Sequence, residues 1–214
     1  MKGLFITFEG IEGCGKTTQL KRAQRYLEES GHKVVVTREP GGTAVGEAIR
    51  DVLLDPLHVS LAPATELLLY AAARAQHVAE KIAPALEEGR IVLCDRFADS
   101  TTAYQGGGRG LSLEDIRMLH AIAVGGLAPD LTVLLDLSAS AGLERARARG
   151  RYDRLEREAI LFHERVRDAF LQLAAEAPER IKVVDGSQSV DEVAAAVQAR
   201  LDALLRETCG AAGA

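Results

Sequence analysis

The chain has 214 residues, 47% of them apolar and 27% charged, with a formal net charge of −5; this suits one domain with a substantial core and argues against a general nucleic-acid binder. No apolar run approaches the ~20 residues of a membrane span, and the N-terminus lacks a charged-then-apolar signal pattern. Cys14, Cys94 and Cys209 form an odd set without metal-like spacing and read as reduced thiols, so the expected setting is the cytoplasm, with neither membrane nor nucleic acid as a partner.

The first expected strand, Leu4–Phe8, runs into Gly10-Ile-Glu-Gly-Cys-Gly15-Lys16-Thr17, and a helical pattern follows over residues 16–30. This matches G-x-x-x-x-G-K-[ST] in its strand-to-helix context. Glycines there permit positive φ and let backbone N–H groups close on phosphate oxygens, and the helix start adds unpaired donors and a positive dipole end. Gly10, Ile11, Glu12, Gly13, Cys14, Gly15, Lys16, Thr17 and Thr18 therefore form the expected cradle of a nucleoside triphosphate. Lys16 reaches the β- and γ-phosphates, and the Thr17 hydroxyl can ligate Mg²⁺.

A second strand, Lys33–Thr37, leads into Arg38-Glu-Pro-Gly-Gly42, followed by helices over 44–54 and 62–88. The third strand, Ile91–Cys94, ends in Asp95-Arg96 and a polar loop. An acidic residue ending a buried strand is where a Mg²⁺-linked carboxylate belongs in a P-loop fold. The fourth strand, Leu131–Leu135, also ends in an aspartate, Asp136, so the strand-end signal alone is ambiguous. Asp95 is favoured because Arg96 supplies an anion ligand beside it. Ligands of open α/β sheets sit outside the carboxyl ends of the strands, so Arg38 and Arg96 can converge on one anion, a nucleoside monophosphate.

Helices are expected over 112–125, 139–149, 156–175 and 190–206, with a fifth strand at Ile181–Val184 and a tail at 210–214. Ser112 and Ser189 each stand three residues before a carboxylate, the second as a capping box. Between 145 and 157 lie Arg145, Arg147, Arg149, Arg151, Arg154 and Arg157, against only Asp153 and Glu156. At steps of two, successive helical side chains point to nearly opposite sides, so one solvated face cannot absorb them all. With Gly150 as a breaker, the segment reads as a lid that brings cations onto phosphates. The five histidines fall outside these loops and read as surface or packing residues. The near-continuous apolar strands suit burial on both faces of a parallel sheet, giving one α/β P-loop domain, 1–209. It is a five-stranded parallel sheet with helices on both faces and a short arginine-rich lid.

Together, "FEGIEGCGKTTQ", "TREPGGT", "YAAARAQH", "DRFADSTTAYQGGGRG" and "ARARGRYDRLE" resemble bacterial thymidylate kinase, over about three quarters of the chain. The resemblance implies Mg²⁺-dependent phosphoryl transfer from ATP to thymidine 5′-monophosphate in a homodimer built from long helices. It implies that Lys16 and Thr17 hold ATP and Mg²⁺, that Asp95 binds the metal or its water, and that Glu12 lies near the sugar 3′-hydroxyl. Arg38 and Arg96 would clamp the acceptor phosphate, Tyr70 would stack on thymine in place of the usual phenylalanine, and Arg74 would donate to the 4-oxo group. Thr101 and Gln105 would lie near the base with Arg50 beside it, and Tyr104 would crowd the 2′-position. The P-loop has no arginine, so the lid would supply that charge from Arg149. Other nucleotide or nucleoside kinases of this architecture, and a non-catalytic P-loop switch, remain alternatives on the residues alone.

Overall fold

The five strands expected from the sequence form one all-parallel sheet in the order β2-β3-β1-β4-β5. They are β1 (Phe5–Glu9), β2 (Val34–Arg38), β3 (Ile91–Asp95), β4 (Leu131–Asp136) and β5 (Ile181–Asp185). The computed structural model describes residues 3–148, 150 and 153–211. Register pairs Phe8 with Asp95 and Arg38 with Asp95 across neighbouring strands, so the chemistry-bearing residues leave the sheet at one edge. The central strands β1, β3 and β4 are buried on both faces, as their apolar runs imply, whereas the edge strands β2 and β5 depart from that expectation and leave Val36 and Val183 exposed. Ile6, Phe8, Ile91 and Leu93 pack in a large core with Leu20 and Leu27, while the alternate Phe5, Val92 and Cys94 pack with Val78, Ile82 and Leu86. Each large side chain so buried is worth about 1.5–3 kcal/mol relative to exposure.

The helices are α1 (Lys16–Glu29), α2 (Ala44–Leu54), α3 (Pro63–His77), α4 (Ala83–Glu87), α5 (Ala98–Thr101), α6 (Leu113–Val124), α7 (Ala139–Arg147), α8 (Ile160–Glu176) and α9 (Val190–Ala211). A π-helical turn, Val78–Ile82, joins α3 to α4 within the long run expected at 62–88. Pro84 lacks the N–H and crowds the carbonyl four residues back, and the wider turn before it accommodates that defect. Ser112 Oγ accepts from Asp115 N at 3.3 Å. Ser189 and Glu192 form the reciprocal box: Ser189 N donates to Glu192 Oε2 at 3.0 Å and Glu192 N to Ser189 Oγ at 3.3 Å.

Three boundaries differ from expectation. The polar stretch after Arg96 is helical, as α5 and then a π-helical segment, Thr102–Gly108. Its glycines serve close packing: a Cβ on Gly107 would stand 2.5 Å from Ala169 Cβ of α8, and one on Gly108 2.5 Å from the Phe162 ring. The helix expected from 156 begins at Ile160, because Asp153 and Glu156 close a turn on each other instead, Glu156 N donating to Asp153 Oδ1 at 2.9 Å. The final helix continues through 210 and 211, which the sequence reading had assigned to a tail; residues 212–214 lie outside the described residues. Among the described residues no helix is long and apolar enough to cross a membrane.

Candidate active site

The P-loop is built by backbone geometry. Gly13 has φ +71°, and a Cβ there would stand 2.1 Å from the Gly142 carbonyl oxygen of α7. Glycine is thus required twice over, by conformation and by the close approach of α7. Lys16 is buried, with Nζ donating to the carbonyls of Gly10 (3.0 Å) and Ile11 (2.8 Å). Across the sheet edge, Thr17 Oγ1 donates to Asp95 Oδ2 at 3.0 Å. The other strand-end acid, Asp136, is taken by a two-pronged pair with Arg167 at 2.7 and 2.8 Å. Thr17 and Asp95 are hard oxygen donors side by side, a set that suits a Mg²⁺ ion retaining several waters.

A cleft of about 200 Å³ opens beside this pair, lined by Glu12, Lys16, Thr17, Arg38, Arg50, Tyr70, Arg74, Asp95, Arg96, Thr101, Tyr104 and Gln105. Every side chain assigned to the acceptor from the sequence lines this one cleft. Arg38 is half-exposed and pairs with Glu47 at 2.7 Å, and Arg50 donates to the Pro40 carbonyl at 2.8 Å. Burial pushes the Tyr70 hydroxyl up, so it stays protonated.

Arg96 is the single non-glycine residue with positive φ, +71°, among the described residues. A left-handed conformation at such a residue costs about 1–3 kcal/mol and persists only when its surroundings fix it. Here they do. Its Nη1 donates to the Gly10 carbonyl at 2.9 Å and Ser100 Oγ at 3.1 Å, and its Nη2 to Glu12 Oε1 at 3.1 Å. Its guanidinium lies 5.0 Å over the Tyr104 ring, and the Tyr104 hydroxyl donates to the same Glu12 oxygen. Beneath the loop, buried Glu9 accepts from Phe97 N at 2.7 Å and from Ser100 Oγ at 2.6 Å.

Arg74 is fully buried on α3. Its Nε donates to Glu39 Oε2 at 2.7 Å, and its Nη2 to the Phe97 carbonyl and Thr101 Oγ1, both at 3.0 Å. Its Nη1 has no partner. Leaving a charged donor unpaired and buried is costly, so a partner is called for from the cleft that Arg74 lines. Glu39 is shared with buried His77, whose Nδ1 stands 3.0 Å from Oε1.

Of the histidines, expected as surface or packing residues, two are buried behind the cleft. His77 backs Arg74 through Glu39, and buried His163 of α8 places Nδ1 3.3 Å from Glu12 Oε2. Neither lies in a motif loop; they stand on α3 and α8, behind the cleft. The lid reading is revised at Arg154, which is buried, donating to the Leu53 carbonyl at 2.9 Å and to Glu66. Glu66, also buried, accepts from Gln105 at 2.8 Å and pairs with Arg109. This network anchors the segment around Arg154 to α2 and α3, and nothing in the sequence spacing announced it. Arg145, Arg147 and Arg157 are exposed. Arg149 and Arg151 lie outside the described residues.

A family model described as thymidylate kinase matches residues 8–197. The chain belongs to the thymidylate kinase family. A thymidylate kinase from Geobacter sulfurreducens is 59% identical over 91% of this chain and 94% of its own length. One from Deinococcus radiodurans is 55% identical over 92% of this chain and 96% of its own. The crystal structure of thymidylate kinase from Ehrlichia chaffeensis superposes with a TM-score of 0.77 at 36% identity, covering 94% of this chain and 99% of that one. The parallel-sheet P-loop architecture is thus that of thymidylate kinases.

Proposed function

We propose that the cleft holds thymidine 5′-monophosphate with its base at Arg74, its sugar at Glu12 and its phosphate between Arg38 and Arg96. The chain is a kinase that uses ATP to phosphorylate thymidine 5′-monophosphate to the diphosphate, a step of nucleotide biosynthesis. The acceptor phosphate is already ionised near neutral pH, so the protein must clamp and align it rather than deprotonate it. Arg38 and Arg96 do this, and Lys16 offsets charge on the donor phosphates as the terminal group moves. Thr17 and Asp95 would hold Mg²⁺, which would supply positive charge to offset that of the donor phosphates. Arg149 is assigned the lid charge that the P-loop lacks. Gln105 and Thr101 line the base end, with Tyr70 offering an aromatic face and Arg50 beside it, and Tyr104 crowds the 2′-position. A cytoplasmic setting agrees with the unpaired thiols Cys14 and Cys94. Two copies are expected to associate through α2, α3 and α6, neighbouring helices that carry exposed Val52, Leu68, Met118 and Ile122.

The observation that carries this reading is that Arg74, whose buried Nη1 has no partner, is among the residues lining the cleft. A thymine 4-oxo group satisfies it, whereas the 4-amino group of cytosine turns donor against donor. Arg74→Ala should shrink the preference for thymidylate over deoxycytidylate while barely changing thymidylate over deoxyuridylate. Steady-state kcat/KM for the three acceptors checks this. Equal losses on all three would make Arg74 structural and move base reading elsewhere.

A further inference from the structure

Glu12 is a carboxylate with two differently occupied edges. Oε1 receives the Arg96 guanidinium and the Tyr104 hydroxyl, while Oε2 is turned into the protein with no hydrogen bond of good geometry. The nearest polar group to Oε2 is His163 Nδ1, 3.3 Å away, and neither nitrogen of that buried ring has another partner. Four elements thus meet on one carboxylate: the P-loop, the loop after β3, the π-helical segment and α8. A buried carboxylate oxygen left without a donor is expensive, as is a buried imidazole with neither nitrogen bonded. The two groups answer each other's need, which requires the proton on Nδ1. Burial by itself raises the Glu12 carboxyl, but His163, Arg96, Lys16 and Tyr104 overcome it and hold the group well below the usual carboxylate range.

We propose that His163 is a positioning residue for sugar recognition: from behind the site it fixes the inward oxygen of Glu12, so that the outward edge meets the acceptor's 3′-hydroxyl in a set orientation. This rests on the reading above that Glu12 faces the sugar. A merely structural histidine would affect all acceptors alike. A positioning one acts only where there is a 3′-hydroxyl to receive.

The test compares thymidine 5′-monophosphate with its 3′-deoxy analogue on the parent, Glu12→Gln, His163→Leu and His163→Asn enzymes. Asparagine can set an amide N–H where Nδ1–H stands; leucine cannot. His163→Leu should raise KM for the natural acceptor roughly tenfold, as expected for about 1.4 kcal/mol of lost orientation, with kcat little changed and KM for the 3′-deoxy analogue nearly that of the parent. His163→Asn should recover most of the loss. If the leucine variant does not fold, His163→Gln carries the same expectation, because its amide reaches toward the Nε2 position instead. Equal effects on both acceptors, or no rescue by asparagine, would overturn the proposal while Glu12→Gln still abolished the discrimination between acceptors. If Glu12→Gln left that discrimination intact, the sugar assignment of Glu12 would fail and the proposal with it.

Discussion

Glu9 ends β1, is fully buried, and holds the strained Arg96 loop from below through Phe97 N and Ser100. Burial, and then the charge of Asp99, push its carboxyl from the ordinary 4.5 up to about 7. The folded protein therefore keeps a proton that the unfolded chain releases between about pH 4.5 and 7, so Glu9's contribution to stability falls as pH rises through that window. Glu9→Gln keeps an acceptor for Phe97 N and a neutral partner for Ser100, and it should flatten this part of the pH dependence. Urea midpoints of parent and variant across the window would show it; identical pH dependences would remove Glu9 from the account. The sequence gives no sign of this residue's work, because an acid ending an apolar strand looks the same whether it faces ligand or loop. The strand–turn–helix around Lys16 and Thr17 was readable because glycine spacing, strand and helix all act within a dozen residues. The partners of Arg74 were not, since Glu39, Phe97 and Thr101 reach it only through the sheet's crossovers.

Among the elements, the π-helical segment Thr102–Gly108 connects packing to function most directly, since Tyr104 and Gln105 stand on it. Gly107 lets it lie against α8. Adding a methyl group as Gly107→Ala sets a Cβ 2.5 Å from Ala169 Cβ and 3.2 Å from the Arg165 carbonyl, and neither can swing aside. Overpacking of this kind costs about 1–3 kcal/mol, and displacement of Tyr104 and Gln105 should also weaken acceptor binding. Thermal unfolding together with acceptor KM checks both; an unchanged midpoint and KM would show that α8 yields without consequence. Three successive glycines read as a loop in sequence because glycine is a poor helix former, and their use as contact points depends on α8, some sixty residues later in the chain. The strands were legible for the opposite reason. A strand buried on both faces is written as a local apolar run. The π-turn before Pro84 and the turn closed by Asp153 and Glu156 each hang on one residue's backbone chemistry and shift an expected helix boundary.

For the whole molecule, one consequence is assembly. Leu68 on α3 is 56% exposed, and Met118 and Ile122 on α6 are 58% and 75% exposed; neighbouring helices with such side chains form a face suited to a two-fold contact. Sedimentation at micromolar concentration should give about twice 22.9 kDa, and a clean monomer would refute the association. The other consequence is choice of acceptor, because the proposed clamp of Arg38 and Arg96 and the proposed base contact of Arg74 favour a pyrimidine monophosphate with a 4-oxo group. The most direct measurement is ATP-dependent turnover over thymidine and the monophosphates of thymidine, deoxyuridine and deoxycytidine. Thymidylate should be the best acceptor, with deoxyuridylate roughly 10–200-fold poorer in kcat/KM for its missing methyl, deoxycytidylate on the order of 10⁴-fold poorer, and unphosphorylated thymidine not turned over. Phosphorylation of thymidine in preference to its monophosphate, or of deoxycytidylate as readily as thymidylate, would contradict the account.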